Sequence, residues 1–250
     1  MAMKNTLTTL DGILDRRVVL EQPATGYRVA MDTVFLAAAV PALAGDRVLD
    51  LGCGVGGAML ALACRVRGIT GVGIEIQPEL AELCRRNIER NDFAAGLTVR
   101  QGDAGDFPQD LRGAFNHAVI NPPYHEESRH DVSADAIKRI ANSEKSGDLP
   151  LWIAGAAGAL KPEGSLTIIH RADRRDEILA CLQIAFGDVH ILPLLPKECA
   201  APKRIILRAR KNALFSVREA RPLVLHKETG GYSDTAEAVL RHGQGLAMEG

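Results

Sequence analysis

The chain has 250 residues, 46% of them hydrophobic, which suits one large α/β domain or two small ones and is too apolar for disorder. A formal net charge of -1 excludes a uniformly basic nucleic-acid coat, though not a local basic patch. Five scattered cysteines without a CxxC pair read as reduced thiols of a cytoplasmic protein, not a disulfide frame or a zinc site; the start "MAMKNTLTTLDG" lacks a signal-peptide core, and no run reaches the roughly 18 apolar residues of a membrane span.

Residues 11–31 carry two extended candidates, "RRVVLEQ" and "GYRVAM", which read as a hairpin around "PATG". "DTVFLAAAV" reads as a helix with Asp32 as N-cap and Pro41 as its stop. Strand and helix then alternate. "DRVLDLG" is a buried strand, "GAMLALACRVR" an apolar helix, "TGVGIEI" a second strand, and "PELAELCRRNIERND" a helix with Pro78 in its first turn. "LTVRQGD" and "FNHAVINPP" are the third and fourth strands, "DLPLWIAGAAGALKPEG" a helix closed by a Pro-Glu-Gly turn, and "SLTIIH" the fifth strand. "RADRRDEILACLQIAFG" is another helix, and "DVHILPLLP" and "PKRIILRARK" are neighbouring antiparallel strands. This alternation predicts an α/β, doubly wound, mainly parallel sheet. Residues 1–45 form an N-terminal extension packed on a main domain of residues 46–250, effectively one domain.

Ligands of such sheets bind beyond the carboxyl ends of the strands. Asp50 to Gly57, Glu75, Asp103 and Asn121 to Tyr124 therefore share one rim. In "LDLGCGVGG", Gly52, Gly54, Gly56 and Gly57 lie between the first strand and its helix, where glycine admits left-handed backbone and close approach of a ligand. Gly52, Gly54 and Gly57 match the dinucleotide fingerprint G-x-G-x-x-G, and Glu75 can accept two hydrogen bonds from a ribose diol. The competing ligand is S-adenosylmethionine. Asp50 favours it, because a carboxylate there repels a pyrophosphate and attracts an ammonium. Asp103 can accept from an adenine amino group. Ile76 and Ala104, which follow two of these acids, complete the cofactor-binding set.

"LDLGCGVGG", "GIEI", "GD" and "NPPY", in this order, resemble class I S-adenosylmethionine-dependent methyltransferases, and "NPPY" is similar to the motif of enzymes that methylate planar amino nitrogens. The resemblance implies a seven-stranded Rossmann-like methyltransferase sheet with an antiparallel last strand. Chemistry accounts for the residue types. The lone pair of a planar amine is delocalised, so the pocket must hold both hydrogens and aim the nitrogen at the methyl carbon. The Asn121 side-chain oxygen and the Pro122 carbonyl can accept one hydrogen each. Pro122 and Pro123 stiffen the turn, and Tyr124 offers a face on which a base can stack. Asn121, Pro122, Pro123 and Tyr124 form the catalytic set, and Asn121 also borders the cofactor.

"GYRVAMDTVFLAAAV" and the tail "LVLHKETGGYSDTAEAVL" are similar to segments of the bacterial tRNA methyltransferases that modify adenine 37 of a valine tRNA at N6. The resemblance implies a metal-independent, cytoplasmic enzyme with tRNA as substrate. Release-factor glutamine methyltransferases and ribosomal guanine-N2 methyltransferases share the core motif and stand as alternatives, as does a protein that binds S-adenosylmethionine without catalysis. RNA phosphates need a positive rim, and Arg28, Arg129, Lys138 and Arg139 are its candidates. The cluster Lys203, Arg204, Arg208, Arg210 and Lys211 reads instead as the exposed face of a strand pair. His117, His125 and His130 lack a metal-ligand spacing, and Cys53 reads as a packing residue.

Overall fold

The computed structural model describes residues 7–26, 28–103, 107–122 and 149–248. It opens with strands β1 (Thr8–Ile13) and β2 (Val18–Pro23), then helix α1 (Met31–Ala39). There follow β3 (Arg47–Leu51), α2 (Gly57–Arg65), β4 (Thr70–Glu75), α3 (Pro78–Arg90), β5 (Leu97–Gln101) and β6 (Phe115–Ile120). The second half holds α4 (Leu149–Ala159), β7 (Leu160–Arg171), α5 (Arg175–Leu182), β8 (Phe186–Leu195), β9 (Arg204–Lys211), β10 (Val217–Glu219), β11 (Leu223–Val224) and α6 (Asp234–His242).

The main sheet has nine strands in the order β10-β8-β9-β7-β6-β3-β4-β5, with β11 also on β8. Strand β9 runs antiparallel to β7 and β8, and the other pairings are parallel. The expected architecture is present, with nine strands rather than seven. The additional β10 and β11 are three and two residues long, too short for an alternating pattern to show in sequence.

Both faces of the sheet are covered, which is why its central strands are nearly continuous apolar runs. In β6, Ala118 and Ile120 join Ile153 and Ala156 of α4 in one core. Val119 points the other way, into a core shared with α1, α2 and α6. Helix α2 is buried from Gly57 to Cys64, so it needs no polar face. Helix α3 lies at the margin and is amphipathic, with Leu80, Leu83, Cys84 and Ile88 buried while Arg85, Arg86 and Glu89 face water.

The hairpin differs from its expected form. Its first strand is "TTLDGI", and the turn is Leu14, Asp15 and Arg16, all with left-handed φ. Residues 28–30 are not a strand; Val29 N–H donates to the Gln22 side chain instead of a ladder partner. The outer edge of β2 is completed by side-chain amides: Asn91 and Asn87 accept from Val19 N–H and Glu21 N–H at 2.8 and 2.7 Å and donate back to the same residues' carbonyls at 2.8 and 2.9 Å. Asp32 does not cap α1. The N-cap is Ala30, and the Asp32 carboxylate instead pairs with Arg204 Nε at 3.0 Å. The expected Pro-Glu-Gly turn is absorbed into β7, where Glu163 takes φ 64°.

The topology places the site. Strand β3 pairs with β4 on one side and β6 on the other, so Leu51 lies between Ile74 and Ile120. The chain leaves β3 in both directions, and the crevice of a doubly wound sheet opens at such a reversal. The glycine turn after β3 and Asn121 after β6 are therefore neighbours.

Candidate active site

Gly52, Gly54 and Gly56 take φ of 68°, 55° and 89°, backbone that other residues adopt only with strain. The turn is tied to the next strand: Gly52 N–H and Cys53 N–H both donate to the Ile74 carbonyl, at 2.8 and 3.0 Å. Glu75 closes it. One carboxylate oxygen accepts from Gly54 N–H at 2.8 Å and the other from Gln77 N–H at 2.9 Å. The Ile76 N–H and the Gln77 side chain also act on this carboxylate, so a diol would share its oxygens with donors already in place.

Asp50 is buried, and its Oδ2 accepts from Met59 N–H at 3.2 Å. Met59 is the third residue of α2, whose N-cap Gly56 has no side chain, so Asp50 supplies the missing cap. Burial pushes the Asp50 carboxyl up to about 7; Met59 N–H pulls it down and the neighbouring Glu75 charge pushes it further up. Burial also raises Glu75, against the pull of its backbone donors. Among the described residues no cation pairs with either acid.

Across from the turn, Asn121 follows the last residue of β6. Its Nδ2 donates to Thr33 Oγ1 at 3.4 Å, and Pro122 behind it is buried. Thr33, on α1, is 3% exposed. Trp152 of α4 covers Gly52: a Cβ added there would lie 2.5 Å from Trp152 Cη2 and 2.7 Å from Cζ3. Asp103 is exposed one residue past Gly102, whose N–H donates to the Glu75 carbonyl at 3.0 Å. Ile76 beside Glu75 leaves an apolar side chain 41% exposed on the same rim.

The structure thus brings Asp50, Gly52, Gly54, Gly56, Glu75, Ile76, Asp103, Asn121 and Pro122 to one edge. Ala104, Pro123, Tyr124, Arg129, Lys138 and Arg139 lie outside the described residues. Arg28 serves the hairpin: its guanidinium binds Asp11 at 2.7 Å, Thr9 Oγ1 at 3.0 Å and the Pro23 carbonyl at 2.9 Å. Cys53 packs, buried against Cys84 at 3.9 Å between sulfurs. Thr33 and Trp152 are absent from the sequence-derived set. Thr33 is signalled by being a hydroxyl inside an apolar helix, and Trp152 by being the chain's one tryptophan. Among the described residues no His, Cys, Asp and Glu group is arranged to hold a metal, and no helix is long and apolar enough to cross a membrane.

A doubly wound sheet with a lone antiparallel strand near one edge, a glycine turn closed by acids and an asparagine at the neighbouring strand end agree with the methyltransferase class that the sequence relatives define. The family model of the methyltransferase small domain matches residues 26–193, and the chain belongs to that family. A tRNA1(Val) (adenine(37)-N6)-methyltransferase of Porphyromonas gingivalis is 30% identical over 87% of this chain and 89% of its own length. The rRNA N(6)-adenosine-methyltransferase metl-5 of Caenorhabditis elegans is 27% identical over 69% of this chain and 74% of its own. Among solved structures, one from Agrobacterium tumefaciens described as a predicted O-methyltransferase shares the fold, with a TM-score of 0.72 at 24% identity over 86% of this chain and 98% of that one.

Proposed function

We propose that the protein transfers a methyl group from S-adenosylmethionine to the N6 of an adenine in RNA, with tRNA as its substrate. The observation that carries this reading is the adjacency of two sites on one sheet edge: the acid-lined glycine turn after β3 and Asn121 after the paired strand β6. The first site suits a cationic ligand. Two buried carboxylates lie there without a cation among the described residues, and Asp50 is raised to about 7, so a positive group relieves a strain that a pyrophosphate would increase. S-adenosylmethionine carries such a charge and supplies an electrophilic methyl carbon.

The chain's own residues do the rest. Asp50 offers negative charge from beneath the turn, Gly52, Gly54 and Gly56 let the backbone approach the ligand, and Glu75 holds the turn while facing a diol. Ile76, Asp103 and Ala104 are the residues that would hold the adenine end of the cofactor. Asn121 Oδ1 and the Pro122 carbonyl would accept the two hydrogens of the amino group, and Pro123 and Tyr124, which lie outside the described residues, are assigned to the base by the sequence motif alone. These fixed acceptors stabilise the positive charge that grows on nitrogen, where they need no reorganisation. The relatives named for adenine N6 of tRNA and of rRNA support an RNA acceptor.

The test is transfer of labelled methyl from S-adenosylmethionine into total unmodified tRNA, with purified ribosomal RNA and release factor in parallel, the product being located by digestion and mass spectrometry. N6-methyladenosine in tRNA is the expected result. Label in ribosomal RNA moves the substrate, and label in the release factor overturns the RNA reading.

A further inference from the structure

We infer that Thr33 is a positioning residue that fixes the Asn121 amide relative to the cofactor turn. The two branches of this side chain face the two halves of the site. Its hydroxyl accepts from Asn121 Nδ2 at 3.4 Å. Its methyl faces Gly57, the first residue of α2, where an added Cβ would lie 3.1 Å from Thr33 Cγ2 and 2.7 Å from Val29 Cγ2. A side chain at Gly57 would collide first with Val29, just ahead of α1, so the segment that enters α1 packs closely on the helix that follows the glycine turn, and Thr33 in its first turn lies between that helix and the end of β6. The preceding residue, Asp32, anchors the same turn to β9 through Arg204 at 3.0 Å. Thr33 is 3% exposed, and its N–H is used by the Ala30 carbonyl at 3.1 Å, so the side chain sits on fixed backbone.

The orientation of the amide is what matters. An asparagine presents a donor nitrogen on one side and an acceptor oxygen on the other. A threonine hydroxyl can accept from Nδ2 or donate to Oδ1, so Thr33 holds the amide in place, and the arrangement present, Nδ2 on Thr33, is the one that leaves Oδ1 for an amino group. An amino group whose hydrogens must be accepted needs that arrangement, because a flipped amide sets donor against donor. A β-branched residue suits this role, since its hydroxyl and methyl share one carbon, and the packing of the methyl on Gly57 selects the rotamer that holds the hydroxyl at Asn121. Hydrogen bonds of this kind are often long before substrate is bound and tighten in the reacting complex.

The inference rests on the amino-group reading for its consequence, but its geometry is tested separately. Thr33→Val keeps the shape and removes the hydroxyl; Thr33→Ser keeps the hydroxyl and removes the methyl. In methyl transfer to the acceptor RNA, Thr33→Val is expected to lower kcat about tenfold, the factor that one net hydrogen bond is worth, with cofactor Kd and melting temperature unchanged. Thr33→Ser is expected to restore most of the rate. Wild-type kcat in Thr33→Val overturns the inference. The second readout needs no acceptor: the side-chain amide protons of Asn121 in the ¹⁵N-labelled full chain, assigned by their loss in Asn121→Asp. Their exchange with water is expected to accelerate in Thr33→Val and stay slow in Thr33→Ser. Equal exchange in all three proteins overturns the inference whatever the acceptor is, whereas accelerated exchange without RNA methylation by the wild type leaves it standing and removes the RNA reading.

Discussion

The two ends of strands β3 and β6 carry polar groups of opposite character. Below the sheet, ahead of β3, the Asp46 carboxylate accepts from Leu43 N–H at 2.7 Å and meets His117 Nε2 at 3.1 Å, while His117 Nδ1 meets Ser165 Oγ at 2.8 Å. Burial pushes the Asp46 carboxyl up, but Leu43 N–H and His117 more than offset it, and the group sits below its ordinary value. Burial holds His117 down against the pull of Asp46. At the other end burial raises both Asp50 and Glu75, the Glu75 charge pushes Asp50 further, and the described residues place no cation against either. The first network is closed on itself and stabilises the fold. The second is the set that the proposed function assigns to the cofactor. Similar acids at two ends of the same strands are thus told apart by whether the protein itself completes their partners.

Four substitutions separate the two ends. Asn121→Ala has the largest effect: turnover is expected to fall roughly 10²–10³-fold, as for loss of a preorganised charge-stabilising group, with cofactor binding kept, as single-turnover rates and calorimetry will show. Gly52→Ala comes next. It forces a Cβ onto φ 68° and into the Trp152 ring, so a loss of about 2–4 kcal/mol is expected, read by denaturant unfolding and by a shift in the emission of the single tryptophan.

Asp50→Asn is expected to weaken cofactor binding about tenfold while stabilising the free protein in alkali. The sign follows from the raised carboxyl. Its folded value of about 7 lies above the ordinary 3.8, so the wild type bears the cost of a buried charge above about pH 7 and sheds it as pH falls toward 4. Asparagine keeps the cap to Met59 and has nothing to titrate. The variant's advantage in thermal melts is expected to shrink between about pH 8 and about pH 5, from a ceiling of about 4 kcal/mol. Ser165→Ala is the smallest, about 1 kcal/mol of stability with cofactor affinity unchanged; a change in that affinity would mean that the two ends are coupled.

The elements buried on both faces are legible in sequence, because "RVLDL" and "GAMLALAC" can belong only to an enclosed strand and helix. The glycine turn, Glu75 and Asn121 are legible too, since residue types at strand ends follow chemistry rather than packing. Strand β1 is not, because "TTLDGI" is mostly exposed and pairs with a partner whose other edge is finished by Asn87 and Asn91 side chains. The cap of α1 is misread because Asp32 answers Arg204, a residue 172 positions away. Thr33 and Trp152 escape for the same reason: each acts through contacts between distant segments, which no local pattern records. Asp50 lies between the two cases. Its place at the strand end is the one expected of a cofactor-binding acid, while its hydrogen bond to Met59 N–H shows a capping role.

The most direct test of the account is the pH dependence of S-adenosylmethionine affinity, measured by calorimetry on the full chain from about pH 7 down to about pH 5.5. If Asp50 binds in its ionised form, affinity falls about tenfold or more over that range with proton release on binding, and Asp50→Asn shows neither effect. An affinity that is flat with pH in the wild type would contradict the claim that these buried acids await the charge of the cofactor.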